Sequence, residues 1–437
     1  MAAEQTREEA TTVAADPQGH LVTFLPHLRL KSSHAVEGVE FVPLRSEDGT
    51  VSPSLESLAK PLDKILSGYV DRKGKALTNC VVATIPGRGW DLDRGDFDTL
   101  RWAVSLRFLG SWSRNEYFPR FGGHYVNSSQ FRVVGQAYSG GLPHYITLTS
   151  RRRDGSTTDG GYKHSEIKFH LPVQVSLRDF SDVDDALLGG IDRASMAGSP
   201  TVDRLRTALP FVELANSDDD FMTPHNEAIL MGSAFEQLLD ADAKKYKLGT
   251  TFAGLLHEFG SVTVSEAQKV RPNILIDQTD PARAAAQPNW WVHQKWIEEL
   301  YDLRSKVVHK GSAAARLWGW SVFEHLVMAA HVFPLTVKLM LSAEGHYTLT
   351  QDDRVRCLII DKLLASARWA DSYDDDENEA PPGSDKSWTQ ILSATRSRLA
   401  FAKAWASVRE MTLRPAGRMS RGNVAQGRGP ECKAAFA

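Results

Sequence analysis

The chain predicts an α+β fold: a mainly β N-terminal domain, then an all-α helical bundle and a helical C-terminal extension. Three observations carry that expectation. From Leu21 to about Asp179 the apolar residues come in short β-branched or aromatic runs, set apart by Gly and Pro. After Phe180 the apolar spacing changes to steps of three and four, the period of a helix. The length, 437 residues at roughly 150 per domain, suggests two to three domains.

Residues 1–20, rich in Ala, Thr, Glu and Gln, read as a disordered leader. In the region 21–180, strands are expected at 21–25, 81–85 and 145–149, where β-branched and aromatic residues cluster. Turn signals stand at Pro86-Gly87-Arg88-Gly89, Gly122-Gly123 and Gly140-Gly141. Residues 167–171 alternate apolar and polar, as a strand with one wet face does. Residues 55–69 space their leucines as a helix, so the domain reads as strands with one helix, with a sandwich as one arrangement.

Residues 181–219 form a helical connector, with helical spacing at 183–194 and 202–214 and a solvated break at Ser217-Asp218-Asp219-Asp220. Between 220 and 345 nearly every segment reads as helix: 226–241, 251–258 with 262–270, 290–309 and 318–341. The strongest signal sets Trp296, Leu300, Leu303 and Val307 at steps of four, three and four, and Gly311 offers a stop. Pro334 is expected to bend the last of these helices. Residues 346–412 continue as a helical region, interrupted by an acidic linker at 371–386, and 413–437 form a basic, Gly- and Arg-rich disordered tail.

Composition narrows the function classes. With 42% hydrophobic and 24% charged residues the chain can build more than one core, which excludes wholesale disorder. A net charge of −3 excludes a polycation that coats nucleic acid, so any contact with phosphates must come from a local patch. Cys80, Cys357 and Cys432 are odd in number and form no CxxC pair, against a zinc module or a disulfide framework. No uncharged run approaches the ~18–20 residues that cross a bilayer, and residues 1–18 lack the basic start and apolar core of a signal peptide. A cytoplasmic location and no membrane partner are expected.

One constellation carries chemistry. The string Leu300-Tyr301-Asp302-Leu303-Arg304-Ser305-Lys306-Val307-Val308-His309-Lys310-Gly311 places an arginine, four residues and a histidine at the end of a long helix. It resembles the RxxxxH motif of the HEPN superfamily, and with its His-Lys-Gly ending looks like the ApeA-type branch. Upstream, Ser233-Ala234-Phe235-Glu236-Gln237-Leu238-Leu239 is similar to that family's first-helix signature, an acid set among apolar residues. The resemblance covers residues 220–345. One departure is Ser305, where the family often has Asn, Asp or His after the arginine.

The resemblance implies a helical HEPN domain and RNA cleavage without metal or other cofactor, with Arg304 and His309 as catalytic residues. Side-chain chemistry permits it. Breaking RNA internally needs a base for the 2′-hydroxyl proton and an acid for the leaving 5′-oxygen, and histidine titrates near neutrality. The transition state gathers negative charge on the phosphoryl oxygens, which a fork-shaped guanidinium stabilises. Glu236 is expected to orient Arg304 by a charge-assisted hydrogen bond, Ser305 and Tyr301 to support it, and Lys306 and Lys310 to attract RNA. Five steps of about 100° separate Arg304 from His309 by roughly 140° around a regular helix. Either the last turn unwinds, or a second copy completes the site. The family's two-fold arrangement implies the latter, a homodimer through the helical domain.

The leading expectation is thus a toxin-like or antiviral endoribonuclease effector, held off until an unknown trigger acts at the N-terminal domain. The alternatives are a non-catalytic HEPN dimerisation or nucleotide- or RNA-binding module, and a sensor or scaffold whose function lies in the β domain. Bland readings stand beside each residue: a surface ion pair with Glu299 or Asp302 for Arg304, a helix C-terminal histidine for His309, a solvated acid for Glu236. Other candidates fail on spacing. His257-Glu258 begins like a zincin helix, but Ser261 stands where the second histidine belongs. His325 and His331 are six apart and share no helix face for a metal.

Overall fold

The computed structural model describes residues 20–88, 94–114, 126–138, 145–151, 154, 156–163, 167–172, 181–217, 222–242, 244–310, 318–366 and 397. The expected leader, the turns at Gly122-Gly123 and Gly140-Gly141, the acidic linker, the basic tail and, apart from Ser397, the helix at 388–411 lie outside the described residues. Both helices and a small antiparallel sheet near the N-terminus are present, so the class is α+β. Met1–Leu392 and Ser393–Ala437 are separate compact units, and every element named below belongs to the first.

Five strands, β1 (His20–Leu25), β2 (His34–Val36), β3 (Val39–Pro43), β5 (Val81–Thr84) and β6 (Val134–Tyr138), pair antiparallel in the order β2-β3-β5-β1-β6. The turn between β2 and β3 is made by Glu37 and Gly38, both in the left-handed region at φ 48° and 75°, as a two-residue hairpin requires. Two further sheets have two strands each: β4 (Tyr69–Val70) runs parallel to β9 (Phe169–His170), and β7 (Tyr145–Arg151) pairs with β8 (Thr157–Lys163).

Helix α1 (Glu56–Leu66) buries Leu58, Leu62, Ile65 and Leu66, a stripe at helical spacing, against Val22, Phe24, Val42 and Val82 of the sheet. This face of the sheet is thus covered by a helix, where a sandwich would bring a second sheet. The alternate residues Thr23, Leu25, Phe41 and Ala83 are buried too. That explains why β1 reads as a continuous apolar run, for a strand covered on both faces has no wet side.

The N-terminal region also holds a second helix that the apolar pattern does not announce. Helix α2 (Arg94–Arg114) buries Leu100, Trp102, Ala103, Leu106, Phe108, Leu109 and Trp112. A helix buried on nearly all sides, with Arg107, Ser111 and Ser113 inside beside its apolar residues, gives no amphipathic period, and its aromatics resemble strand residues. Trp112 stacks on Phe333 of the bundle, ring centres 5.9 Å apart and planes 7° from parallel. Through α2 the sheet region and the bundle share one core.

The rest is helical: α3 (Asp185–Met196), α4 (Pro200–Ala215), α5 (Pro224–Leu238), α6 (Lys245–Leu255), α7 (Val264–Ala267), α8 (Pro281–Ala286), α9 (Val292–Lys310), α10 (Val322–Ala343) and α11 (Gln351–Leu364). Helix starts follow local chemistry. Thr223 caps α5 ahead of Pro224, and capping boxes open α10 (Ser321 with Glu324) and α11 (Thr350 with Asp353). Helix α9 packs on α5, α6 and α11. Trp296 is fully buried at their centre, with the Phe235 and Phe252 rings 6.2 and 5.9 Å away.

By length and composition α10 could cross a membrane, yet 83% of its apolar window is buried in the bundle. The signature is that of a core helix, and it carries buried Glu324, His325, His331 and Lys338. Each needs a partner inside the protein. Glu324 pairs with Arg271, whose guanidinium also donates to the carbonyls of Gly319 and Ser366. His331 bonds the Arg356 carbonyl at 3.2 Å.

These groups set two expectations for stability. Arg271→Ala leaves the Glu324 carboxylate buried and unpaired, and chemical denaturation should show a loss of about 3–5 kcal/mol. Burial, with Arg356 adding to it, holds His331 down to about 3 from an ordinary 6.5. Between those values only the unfolded chain takes up the proton, so stability falls as pH drops below 6.5, by up to about 1.4 kcal/mol per pH unit. His331→Gln should flatten the slope of unfolding free energy against pH by that one proton's share.

Candidate functional site

The site predicted from sequence gathers where α9 crosses α5. Gly232 makes the crossing close: a Cβ built on it would stand 3.2 Å from Cβ of Arg304 and 3.8 Å from the Leu300 carbonyl oxygen. One turn further along α5, Glu236 faces the same helix, since residues four apart share a face. Its Oε2 lies 3.3 Å from Nη2 of Arg304. The Glu236 side chain is 10% exposed and that of Arg304 25% exposed.

This is an ion pair rather than the expected charge-assisted hydrogen bond. Glu236 Oε2 and Arg304 Nε are both buried and without a hydrogen-bond partner. The guanidinium is therefore anchored by charge and packing while its donors stay uncommitted on one side. Tyr301, one turn back on α9, places its ring 5.8 Å from the guanidinium carbon, within range of a cation–π attraction. Burial raises the Tyr301 hydroxyl's pKa, and Glu236 raises it further, so the ring stays neutral.

Other predicted residues are placed as follows. Lys306 holds its ammonium 4.6 Å over the Trp318 ring. Ser305 is half-buried beside it. His309 and Lys310 belong to the backbone of α9, which stays helical through Lys310, but their side chains lie outside the described residues. Helix α9 is continuous from Arg304 to Lys310, so the two motif residues keep the wide angular separation of a regular helix. The structure thus brings Arg304, Glu236 and Tyr301 together, and leaves Lys306 to a separate partner.

The candidate ion-pair partners of Arg304 have other commitments. Asp302 binds Lys245 at 2.7 Å, and Lys245 also reaches Asp277 at 3.1 Å. Burial alone would lower the Lys245 pKa, but the two carboxylates outweigh it and raise it. Glu299 accepts the Trp320 amide at 3.0 Å and lies 3.4 Å from the fully buried His325. Gly232 and Lys245 were not legible as site residues. The signal for Gly232 was present, a glycine four residues before the motif acid on a helix interior, where glycine is costly without a packing reason.

Among the described residues no group of three or more His, Cys, Asp or Glu is arranged to hold a metal ion. Nearest to a catalytic pairing elsewhere is His293, whose Nδ1 lies 2.7 Å from Asp361 Oδ1. Asp361 also accepts the amides of Ser261 and Val262, and both side chains are almost wholly buried, which marks a structural contact. The Arg304–Glu236 pair is neutral as a unit, and its guanidinium, 25% exposed, is the part that offers donors to an anion.

Overpacking tests the crossing. Gly232→Val sets branched carbons against the Arg304 stem, and urea denaturation should show about 1–3 kcal/mol lost without a change in m-value.

Comparison with known proteins gives no match among family models, curated proteins or solved structures.

Proposed function

We propose that this chain is an endoribonuclease effector of HEPN type, acting without a metal, in which Arg304 and His309 of two copies cleave RNA by 2′-hydroxyl attack. The observation that carries the reading is the Arg304–Glu236 pair, an arginine fixed by an acid of the facing helix, one and a half turns before the motif histidine. Arg304 would meet the charge that develops on the phosphoryl oxygens, where a preorganised cation is worth most. His309 would take the 2′-hydroxyl proton, and the histidine of a second copy would protonate the leaving 5′-oxygen. The products are then a 2′,3′-cyclic phosphate and a 5′-hydroxyl, and DNA, lacking the nucleophile, is refused.

A homodimer is part of the proposal because α9 is regular through Lys310, which separates the two side chains within one copy. Glu236 and Tyr301 act on Arg304 and are positioning residues. Lys306 and Lys310 add phosphate attraction. Control of such an activity falls to the N-terminal region, which would answer a trigger. One observation favours a second reading, a non-catalytic dimerisation or binding module. The Arg304 side chain is three-quarters buried against an acid of its own bundle, as a structural ion pair is.

Purified full-length protein, incubated with transfer RNA and messenger RNA and analysed for cyclic-phosphate ends, separates the two. Arg304→Ala and His309→Ala should each lower the cleavage rate by about a hundredfold or more, as removal of a group that stabilises the transition state does. Glu236→Gln should lower it less. Equal cleavage by wild type and both variants would count against the nuclease and for the second reading.

A further inference from the structure

Away from Arg304, a cavity of about 630 Å³ opens between the sheet region and the bundle. Its wall comes from the segment after β1 (Leu30 to His34), the end of α2, the first turn of α3, Lys338 of α10, and the start of α11. The size suits a small ligand, but most such cavities are mainly apolar and this one is lined by charged and hydroxyl groups. Three guanidiniums face it: Arg107, Arg114 and Arg356.

The acids along the wall are largely spoken for. Asp184 and Asp353 share Lys338, at 2.7 and 2.6 Å, and each also serves a helix start. Asp353 further accepts the Tyr347 hydroxyl at 2.7 Å, and Asp184 the Ser113 hydroxyl at 2.8 Å. Asp352 pairs with Arg356 at 2.7 Å. Asp185 takes His34 and is 77% exposed to water, and Asp182 is exposed as well.

The arginines are less well matched. Arg107 is 1% exposed, a cation taken almost fully out of water. Its Nη atoms donate to Ser111 Oγ and to the backbone carbonyls of Ser181 and Asp182, and its Nε has no partner. Asp185 and Asp182 reach it only as charges at longer range. Arg114, at the end of α2, is exposed. Among the described residues neither Arg107 nor Arg114 forms an ion pair with a carboxylate. The starts of α3 and α11 also border the cavity, but Asp184 and Thr350 already cap them and Asp185, Asp352 and Asp353 stand in their first turns.

From the unmatched guanidiniums and the half-open cavity that they line, we infer that this cavity binds a small phosphate-bearing anion. Guanidiniums fit phosphate oxygens two at a time. A small molecule rather than a nucleic-acid backbone is favoured because Arg107 sits at the inner wall, out of solvent. The inference stands apart from the ribonuclease proposal, since none of these residues touches Arg304 or Glu236.

Isothermal titration of the full-length chain with inorganic pyrophosphate, at fixed ionic strength, tests it. Saturable binding is expected. Arg114→Glu should weaken it about tenfold or more, as removal of one charge-assisted hydrogen bond to the anion does. Because Arg114 is exposed, that variant should keep the wild-type melting temperature, while Arg304→Ala should bind pyrophosphate as the wild type does. No saturable heat, or an Arg114→Glu variant that binds equally, would overturn the inference. So would weakening by Arg304→Ala to the same degree as by Arg114→Glu.

Discussion

Helix α9 runs through the middle of a packed bundle while carrying a strongly polar sequence, and that conflict organises the architecture around it. Polar groups taken from water must be paired within the protein. Along α9, His293 has Asp361, Lys295 has Gln287, Glu298 has Arg283, Asp302 has Lys245 and Arg304 has Glu236. Each pair ties the central helix to a different neighbouring segment. The apolar residues of α9, Trp296, Leu300 and Leu303, supply the burial energy, whereas the pairs fix which neighbour lies where. Arg304 is the last described member of this series and the most exposed of those with an acidic partner, which is what lets it face outward.

The fold class was readable because it rests on period, and period survives without any tertiary information. Strand 21–25 and the helices near 56–66, 185–196, 200–215, 226–238 and 292–310 show their spacing plainly. What was hidden is hidden for a physical reason. Helix α2 is buried nearly all round, so the amphipathic contrast that announces a helix is missing. The pairing of β4 with β9 joins residues a hundred apart in two-residue strands, too short to leave a pattern. The short α8 lies in an Ala-rich stretch with no buried residue to mark a face.

The site was legible to a lesser extent. Arg304 and Tyr301 could be named from one short string, and Glu236 from a second string on another helix, because both strings resemble those of a known family. The role of Gly232 could not, since it depends on how near two helices come, and nothing short of the packed structure sets that distance. Nor could the polar cavity, whose walls are drawn from Lys31, Arg107, Asp184, Lys338 and Asp353, separated by most of the chain. A cavity of this sort is a property of assembly, and five segments that each read as an ordinary loop, helix start or helix interior give no hint of it.

The stacking of Trp112 on Phe333 has a consequence for how the protein can be divided. The two rings lie face to face across the junction of sheet and bundle, so neither side owns that part of the interior. A fragment cut to begin after the connector would uncover an aromatic plane that the intact chain never shows to water. Such a piece would be sticky, prone to self-association, and a poor stand-in for the whole.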